Sequence, residues 1–380
     1  MPDPFIACDH SGGNIVVTRR AGRVFSVRPD LRDTTTQWFY WYFRVRGAPG
    51  QDLRFQFPAD MPVMSVRGPA FSRDGGQNWH WLGGDAVAGN GFSYCFGPAE
   101  TETHFSMGMP YTEDDLHRFL AGRAPSPLLA MEPHCLSRHG RTVERLRFGC
   151  NAASPPHRVA ITCRHHCCEM MANYVLEGLI DAVTGEGSES GWLKENVAFA
   201  ALPFVDKDGV EEGDQGKNRA PHDHGRDYGE KRYPAVAGWC RFLSRWSNEH
   251  LDLGLDLHCP FIRGGNSEHI HLVGVQSEPV WRKQRRFGRV LERCRRGPLP
   301  YRTENAVPFG TAWNVPANYR QGMTFGGWLQ GRFPTGLPLT IEVPYADADG
   351  VAVDARSARE FGRDLAVAVA TYLRSVKTPA

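Results

Sequence analysis

The sequence predicts an α/β protein in which a mixed central sheet flanked by helices follows a small antiparallel β-sandwich. Three observations predict it. Up to about residue 120, short apolar and aromatic runs are cut by Gly, Pro and Asp at strand-like intervals, the pattern of antiparallel strands joined by turns. From about residue 135, strand-like runs alternate with segments whose apolar residues recur at helical spacing, which covers both faces of a largely parallel or mixed sheet. Between the two textures stand Pro125 and Pro127. The expected units are residues 1–122 and residues 123–380.

In the first unit the strand candidates are GNIVVTRR, GRVFSVRPD, QWFYWYFRVRG and QDLRFQFP, with FSYCFG and THFSMGM continuing them. Trp38–Val45 is the stretch richest in residues that suit a pleated surface. Core packing is the first reading of these aromatics, and a carbohydrate- or peptide-binding surface is the alternative. YTEDDLHRFLAG reads as a helix that Thr112 caps, with Asp115 three residues on to reciprocate. In the second unit RTVERLRFG, HRVAITC, NVAFAALPFVD, LDLGLDLHCPF and LPLTIEVPYA read as strands. HHCCEMMANYVLEGLIDAV, RYPAVAGWCRFLSRW and SAREFGRDLAVAVATYL read as helices. Catalytic groups in such sheets collect at the carboxyl ends of the strands.

Composition narrows the function classes. Of 380 residues, 41% are hydrophobic and 23% charged, an ordinary globular balance for a chain long enough for two cores. The net charge of +2 gives no global attraction to nucleic acid. The stretch WRKQRRFGRVLERCRRG is a local exception; a solvated helix face is its first reading, attraction of acidic peptides the second, nucleic acid the last. Ten cysteines lack the spacing of a disulfide scaffold, which points to a reducing compartment. No leader pattern opens the chain and no run is long enough to span a bilayer, so the expectation is a cytoplasmic protein with neither a membrane nor a nucleic-acid partner.

His166 and Glu169 stand three residues apart, just after the strand HRVAITC. On a helix that spacing puts an imidazole and a carboxylate on one face, where both can reach one ion. His258, at the end of LGLDLH, is the candidate third ligand. Two imidazoles and a carboxylate leave a fourth position open, as in catalytic zinc sites. Alternatives stand beside this set. His166 could be a surface or capping residue, His165 could pair with Glu169 at four-residue spacing, and Cys167, Cys168 and Cys259 could form a Cys–His site or a redox pair. On a helix Cys167 and Cys168 would diverge by about 100°. Glu342 lies between Ile341 and Val343 in an apolar strand, where a carboxylate needs a partner or a wet cleft.

Taken in order, these segments resemble the M14 metallocarboxypeptidase family, and within it the cytosolic carboxypeptidase-like subfamily with its bacterial members. LSRHGRTVERLRFG is similar to the opening of the catalytic domain. ITCRHHCCEMMANYVLEGLIDAV resembles the metal-binding segment, the usual HPGE being replaced by His166-Cys167-Cys168-Glu169. VDKDGVEEGDQGKNRAPHDHGRDYG resembles the carboxylate-binding loop, LDLHCPF the segment with the third ligand, and TIEVPY the strand with the catalytic glutamate. The FYWYFRV region is similar to the β-rich domain that precedes the catalytic domain in that subfamily.

The resemblance implies one zinc ion per chain on His166, Glu169 and His258, with Glu342 as general base. It implies that Arg219 polarises the scissile carbonyl and that Arg226 grips the substrate's terminal carboxylate. Gly225 stands where asparagine is usual, which removes one hydrogen-bond donor. Asp227 is a candidate to orient Arg226 or a ligand histidine, and Tyr319 is a candidate for the mobile active-site tyrosine. The implied reaction is hydrolysis of C-terminal residues from peptide or protein tails, acidic glutamate-type tails among them. Two alternatives remain open: a peptide-binding protein without turnover, and a zinc amidohydrolase acting on a small acidic metabolite.

Overall fold

Alternation of apolar and polar side chains organises residues 5–106 into two sheets. The computed structural model describes residues 3–123 and 125–376; the first two residues of the N-terminal stretch, and Ala124 beside the expected joint, lie outside the described residues. One sheet places Phe5–Ala7, Tyr42–Arg46, Glu102–Ser106, Ala70–Ser72 and His80–Trp81 in that spatial order. The other places Val16–Ala21, Val24–Arg28, Asp52–Gln56 and Gly91–Cys95. Neighbours are antiparallel except Val24–Arg28 with Asp52–Gln56, which run parallel. Between those two strands the chain crosses to the other sheet to make Tyr42–Arg46, and returns running the same way.

The inner faces meet through aromatic rings. Phe43 lies 5.3 Å from Phe55, and Phe55 lies 5.6 Å from Phe105, centroid to centroid. All three are fully buried, so the aromatic wealth of this region is core. The strand expected from Trp38 starts only at Tyr42. Before it, the Tyr40 amide donates to Gln215 Oε1 at 2.7 Å, so this stretch is bound to the second half of the chain instead of to a strand. The helix Glu113–Ala121 follows, with the Asp115 carboxylate accepting from the Thr112 N–H at 2.8 Å and its hydroxyl at 3.2 Å.

The strands of the large sheet are Leu129–Leu136 (β1), Thr142–Gly149 (β2), His157–Cys163 (β3), Val197–Leu202 (β4), Leu253–His258 (β5), His271–Val273 (β6) and Leu337–Glu342 (β7). Their spatial order is β1-β2-β4-β3-β5-β7-β6. The central four, β4-β3-β5-β7, are parallel, and the outer strands pair antiparallel. The parallel strands are buried on both faces, hence their near-continuous apolar sequence.

Helices Met171–Thr184, Glu278–Cys294 and Ala355–Ser375 share one core with Val159, Ile161, Leu255 and Leu257. Helices Pro234–Trp246 and Phe325–Arg332 cover the other face over Ala160, Ala200 and Leu202. The first core runs on without a break into the N-terminal sheets, joining Phe43 and Phe55 to Met170 and Tyr345. The architecture is thus a mixed sheet between helical layers, preceded by the smaller sheets. Among the described residues no helix is long and apolar enough to cross a membrane. Because β3, β5 and β7 run parallel, their carboxyl ends at Cys163, His258 and Glu342 share one edge, and in register His258 pairs with Glu342.

Candidate metal centre and active-site cleft

His166 and Glu169 do not sit on a helix. The helix expected to begin at HHCC starts at Met171, and residues 164–170 form tight turns. Arg164, at φ 62°, reverses the chain after β3, and its buried guanidinium holds the loop closed. It donates to the Cys167 carbonyl at 2.7 Å, the Tyr111 carbonyl at 2.9 Å and Asn173 Oδ1 at 3.0 Å. This pinned turn delivers by loop geometry the convergence that the three-residue spacing promised by helical geometry.

His166 Nδ1 lies 2.7 Å from Glu169 Oε1, and His258 Nδ1 lies 2.7 Å from Glu169 Oε2. All three side chains are buried. Their ligand atoms lie within 4.8 Å of one another. The opposite ring nitrogens face carboxylates: His166 Nε2 is 3.3 Å from Asp223 Oδ1, and His258 Nε2 is 3.2 Å from Asp256 Oδ2. Carboxylates behind ligand histidines fix the ring and raise its basicity. Two imidazoles and one carboxylate, each imidazole backed by a second acid, form a donor set that fits a catalytic zinc ion.

The electrostatics follow from that crowding. Burial alone would lower His166 and His258, but Glu169 raises His166, and Asp256 with Glu169 holds His258 well above the usual imidazole range. Burial works against ionised Glu169 and Asp223, yet the facing histidines hold both well below the usual carboxylate range. Asp223 and Asp256 were not singled out in the sequence. Their signal was their position, three residues before Arg226 and two before His258.

The alternative ligands turn away. His165 Nδ1 is 2.9 Å from Asp256 Oδ1 and its Nε2 is 2.8 Å from the Tyr228 hydroxyl, so it backs the site instead of pairing with Glu169. The Cys167 thiol donates to the Asp214 carbonyl at 3.0 Å, and Cys168 Sγ lies 3.7 Å from the Tyr345 hydroxyl. Burial pushes Cys168 up to about 12 and Cys167 well above the usual thiol range, which keeps both as neutral packing groups.

Two adjoining cavities, of about 440 and 520 Å³, open over this centre. His166, Lys217, Arg226 and Glu342 line both. Glu342 is 7% exposed, and its Oε2 lacks a hydrogen-bond partner among the described residues. Burial pushes its carboxyl up to about 7, against the pull of His258. Arg226 donates to the Asn318 carbonyl at 2.9 Å and the Gly225 carbonyl at 3.1 Å, and its guanidinium lies 5.5 Å from the centre of the Tyr319 ring. Tyr319 also lines the first cavity, its hydroxyl donating to Asn314 Oδ1 at 2.6 Å. A Cβ at Gly225 would stand 3.1 Å from Asp223 Oδ1 and 3.3 Å from His166 Nε2. The glycine therefore gives room for the Asp223–His166 contact.

Two expected site residues lie elsewhere. Arg219 is not brought to the cleft: its guanidinium meets Asp214 at 2.7 Å, Asp206 at 3.2 Å and Asp33 at 3.3 Å. It borders a separate cavity of about 130 Å³. Three acids meet its two terminal nitrogens, so its charge is paired outside the cleft cavities. Asp227 neither orients Arg226 nor backs a ligand; fully buried, it accepts from the amides of Arg232 at 2.8 Å and Tyr233 at 2.9 Å and so caps a turn. The cationic stretch forms the helix Glu278–Cys294, and none of its arginines lines either cleft cavity. In their place stand Lys217, Arg226 and, in the first cavity, Arg320.

No family model matches the sequence. The chain is 23% identical to mouse cytosolic carboxypeptidase 3 over 269 residues, covering 61% of this chain and 26% of that protein. It is 23% identical to human cytosolic carboxypeptidase 2 over 312 residues, covering 72% of this chain and 34% of that protein. The chain thus spans about a third or less of the curated relatives it matches. Among solved structures it resembles a metallo-carboxypeptidase from Burkholderia cenocepacia, with TM-score 0.79, 18% identity and coverage of 98% of this chain and 99% of that one. It also resembles a metallo-carboxypeptidase from Pseudomonas aeruginosa solved with (2-guanidinoethylmercapto)succinic acid, with TM-score 0.77, 21% identity and coverage of 98% and 100%. Both likenesses include the N-terminal sheets. The chain has the fold of the zinc carboxypeptidases.

Proposed function

We propose that the protein is a zinc-dependent carboxypeptidase of the M14 family's cytosolic carboxypeptidase-like branch. It holds one ion per chain on His166, Glu169 and His258, and removes C-terminal residues from peptide or protein tails. One observation carries the reading: a three-ligand cluster, an unpartnered buried carboxylate and a cleft arginine meet over the same pair of cavities. Cavities of this size suit a small ligand or the end of a peptide.

Zinc bound there supplies Lewis acidity, which acidifies a water and polarises a carbonyl. Asp223 and Asp256 hold the two ligand rings in place. Glu342 takes the proton of the attacking water at its free Oε2 and returns it to the departing amine. Burial raises its basicity toward the working pH, as such a base requires. Arg226 forms charge-assisted hydrogen bonds to the terminal carboxylate, and Tyr319 flanks it. Acidic tails are the favoured substrates in this proposal, because Arg320 lines the first cavity beside Arg226. Residues 1–122 and 123–380 act as one catalytic body, since Trp38 of the first lines the second cavity.

The test combines metal analysis of the purified protein with a screen of peptides that differ in their last residue, each made also as the C-terminal amide. One zinc per chain and release of the last residue from free acids alone are expected. Absence of bound zinc, or equal cleavage of the amides, refutes the proposal.

A further inference from the structure

Sequence order assigned the carbonyl-polarising cation to Arg219, but Arg219 is committed to three carboxylates outside the cleft. We propose that Lys217, two residues earlier, is the cation that stabilises the negative charge developing on the substrate carbonyl oxygen during hydrolysis. This rests on the carboxypeptidase reading above.

The backbone decides which of the two side chains faces the site. Asp33, from the N-terminal region, accepts from the amides of Gln215 at 2.9 Å and Gly216 at 2.8 Å through its two oxygens. The Thr34 hydroxyl donates to the Lys217 carbonyl at 2.6 Å. Gly216, at φ 79°, lies so close to the metal loop that a Cβ there would stand 2.4 Å from the Cys167 amide nitrogen. The segment is thus clamped from one side by the N-terminal region and seated on the metal loop on the other. In that pose Lys217 lines both cavities together with His166 and Glu342, while Arg219 turns to Asp206 and Asp214.

Lys217 is half-buried, and among the described residues its ammonium has neither an ion pair nor a hydrogen bond. An ammonium there keeps its donors free for a substrate oxygen. Its charge is near enough to act on Glu342, His166 and Asp223. An ammonium held beside the place where charge appears needs little reorganisation during the reaction, which is why such donors are effective. Lys217 neither gains nor loses a proton in this role. Water's oxygen bonds to the carbonyl carbon, the C–N bond breaks, and the proton reaches the amine through Glu342.

The experiment measures kcat, KM and zinc content for the parent, Lys217→Met, Lys217→Arg and Arg219→Lys on a peptide that the parent cleaves. Lys217→Met is expected to lose about 10²–10³-fold in kcat, with full zinc and little change in KM. Lys217→Arg is expected to recover at least a tenth of the parental kcat. Arg219→Lys keeps a cation in the acid cage and is expected to stay near the parent. An undiminished kcat in Lys217→Met overturns the proposal while leaving the carboxypeptidase reading intact. So does a larger kcat loss in a folded, zinc-replete Arg219→Lys. A parent that releases no residue from any peptide overturns both.

Discussion

Replacing Glu342 by glutamine separates catalysis from stability, and the structure gives both signs. The carboxyl is buried, its Oε2 has no partner among the described residues, and burial pushes it up to about 7 from an ordinary value of 4.5. Below 4.5 the carboxyl is protonated in folded and unfolded chains alike. Between 4.5 and about 7 the metal-free folded protein holds a proton that the unfolded chain has lost. Stability therefore falls as pH rises through that window. At about 1.4 kcal/mol per pH unit, the deficit reaches about 3 kcal/mol once the window is crossed. Glutamine keeps the shape and carries no charge. Stripped of metal, Glu342→Gln should resist urea better than the parent by up to about 3 kcal/mol near pH 8, and by little near pH 4. With zinc restored, its kcat should fall about 10²–10⁴-fold, the usual contribution of a general base. The assay is urea unfolding of chelator-treated protein at both pH values, beside kcat and zinc stoichiometry. A zinc-replete variant with parental kcat refutes the base assignment. A variant no more stable than the parent at either pH refutes the electrostatic argument.

Three further outcomes follow from the same geometry. His166 and His258 are raised in the metal-free protein, so zinc must displace protons from them; affinity should climb as pH rises through neutrality, by up to about tenfold per unit for each proton released. Calorimetry in buffers of different ionisation enthalpy counts those protons, and a pH-independent affinity refutes the ligand set. Arg226→Met should raise KM for free C-terminal acids by about 10–100-fold, the worth of a charge-assisted hydrogen bond, with a smaller change in kcat; steady-state kinetics decides this. Gly216→Ala would place a Cβ 2.4 Å from the Cys167 amide and force φ 79° on an alanine. It should destabilise the protein by at least about 2 kcal/mol and weaken zinc binding, read by thermal unfolding and metal titration.

The layers of the fold, and most of the residues that line the cleft, were legible in the sequence. Alternation in VFSVR and YFRVR, and the apolar runs HRVAITC and LGLDLH, specify strands exposed on one face or buried on two, because side-chain period and burial are local properties. Motif order named His166, Glu169, His258, Glu342 and Arg226, all of which the fold brings to one cleft. The short edge strand His271–Val273 and the Pro-interrupted strand Leu129–Leu136 escaped notice, since their pairing comes from neighbours distant in sequence. Which cation lines the cleft was settled only by the tertiary fold. Lys217 and Arg219 are two residues apart in one polar loop, and nothing local ranks them. Asp33 settles the matter from more than 180 residues away, by fixing the backbone at Gly216 and sharing its charge with Arg219. The placement of His166 and Glu169 is tertiary as well. Their spacing suits a helix, but the buried Arg164 guanidinium, bonded to the Cys167 carbonyl of the same turn and the Tyr111 carbonyl of a distant segment, holds them in a turn. Periodicity reports which face of an element is apolar. It carries no information about which distant acid or carbonyl will satisfy a buried polar group, and in this protein those distant partners set the geometry of the site.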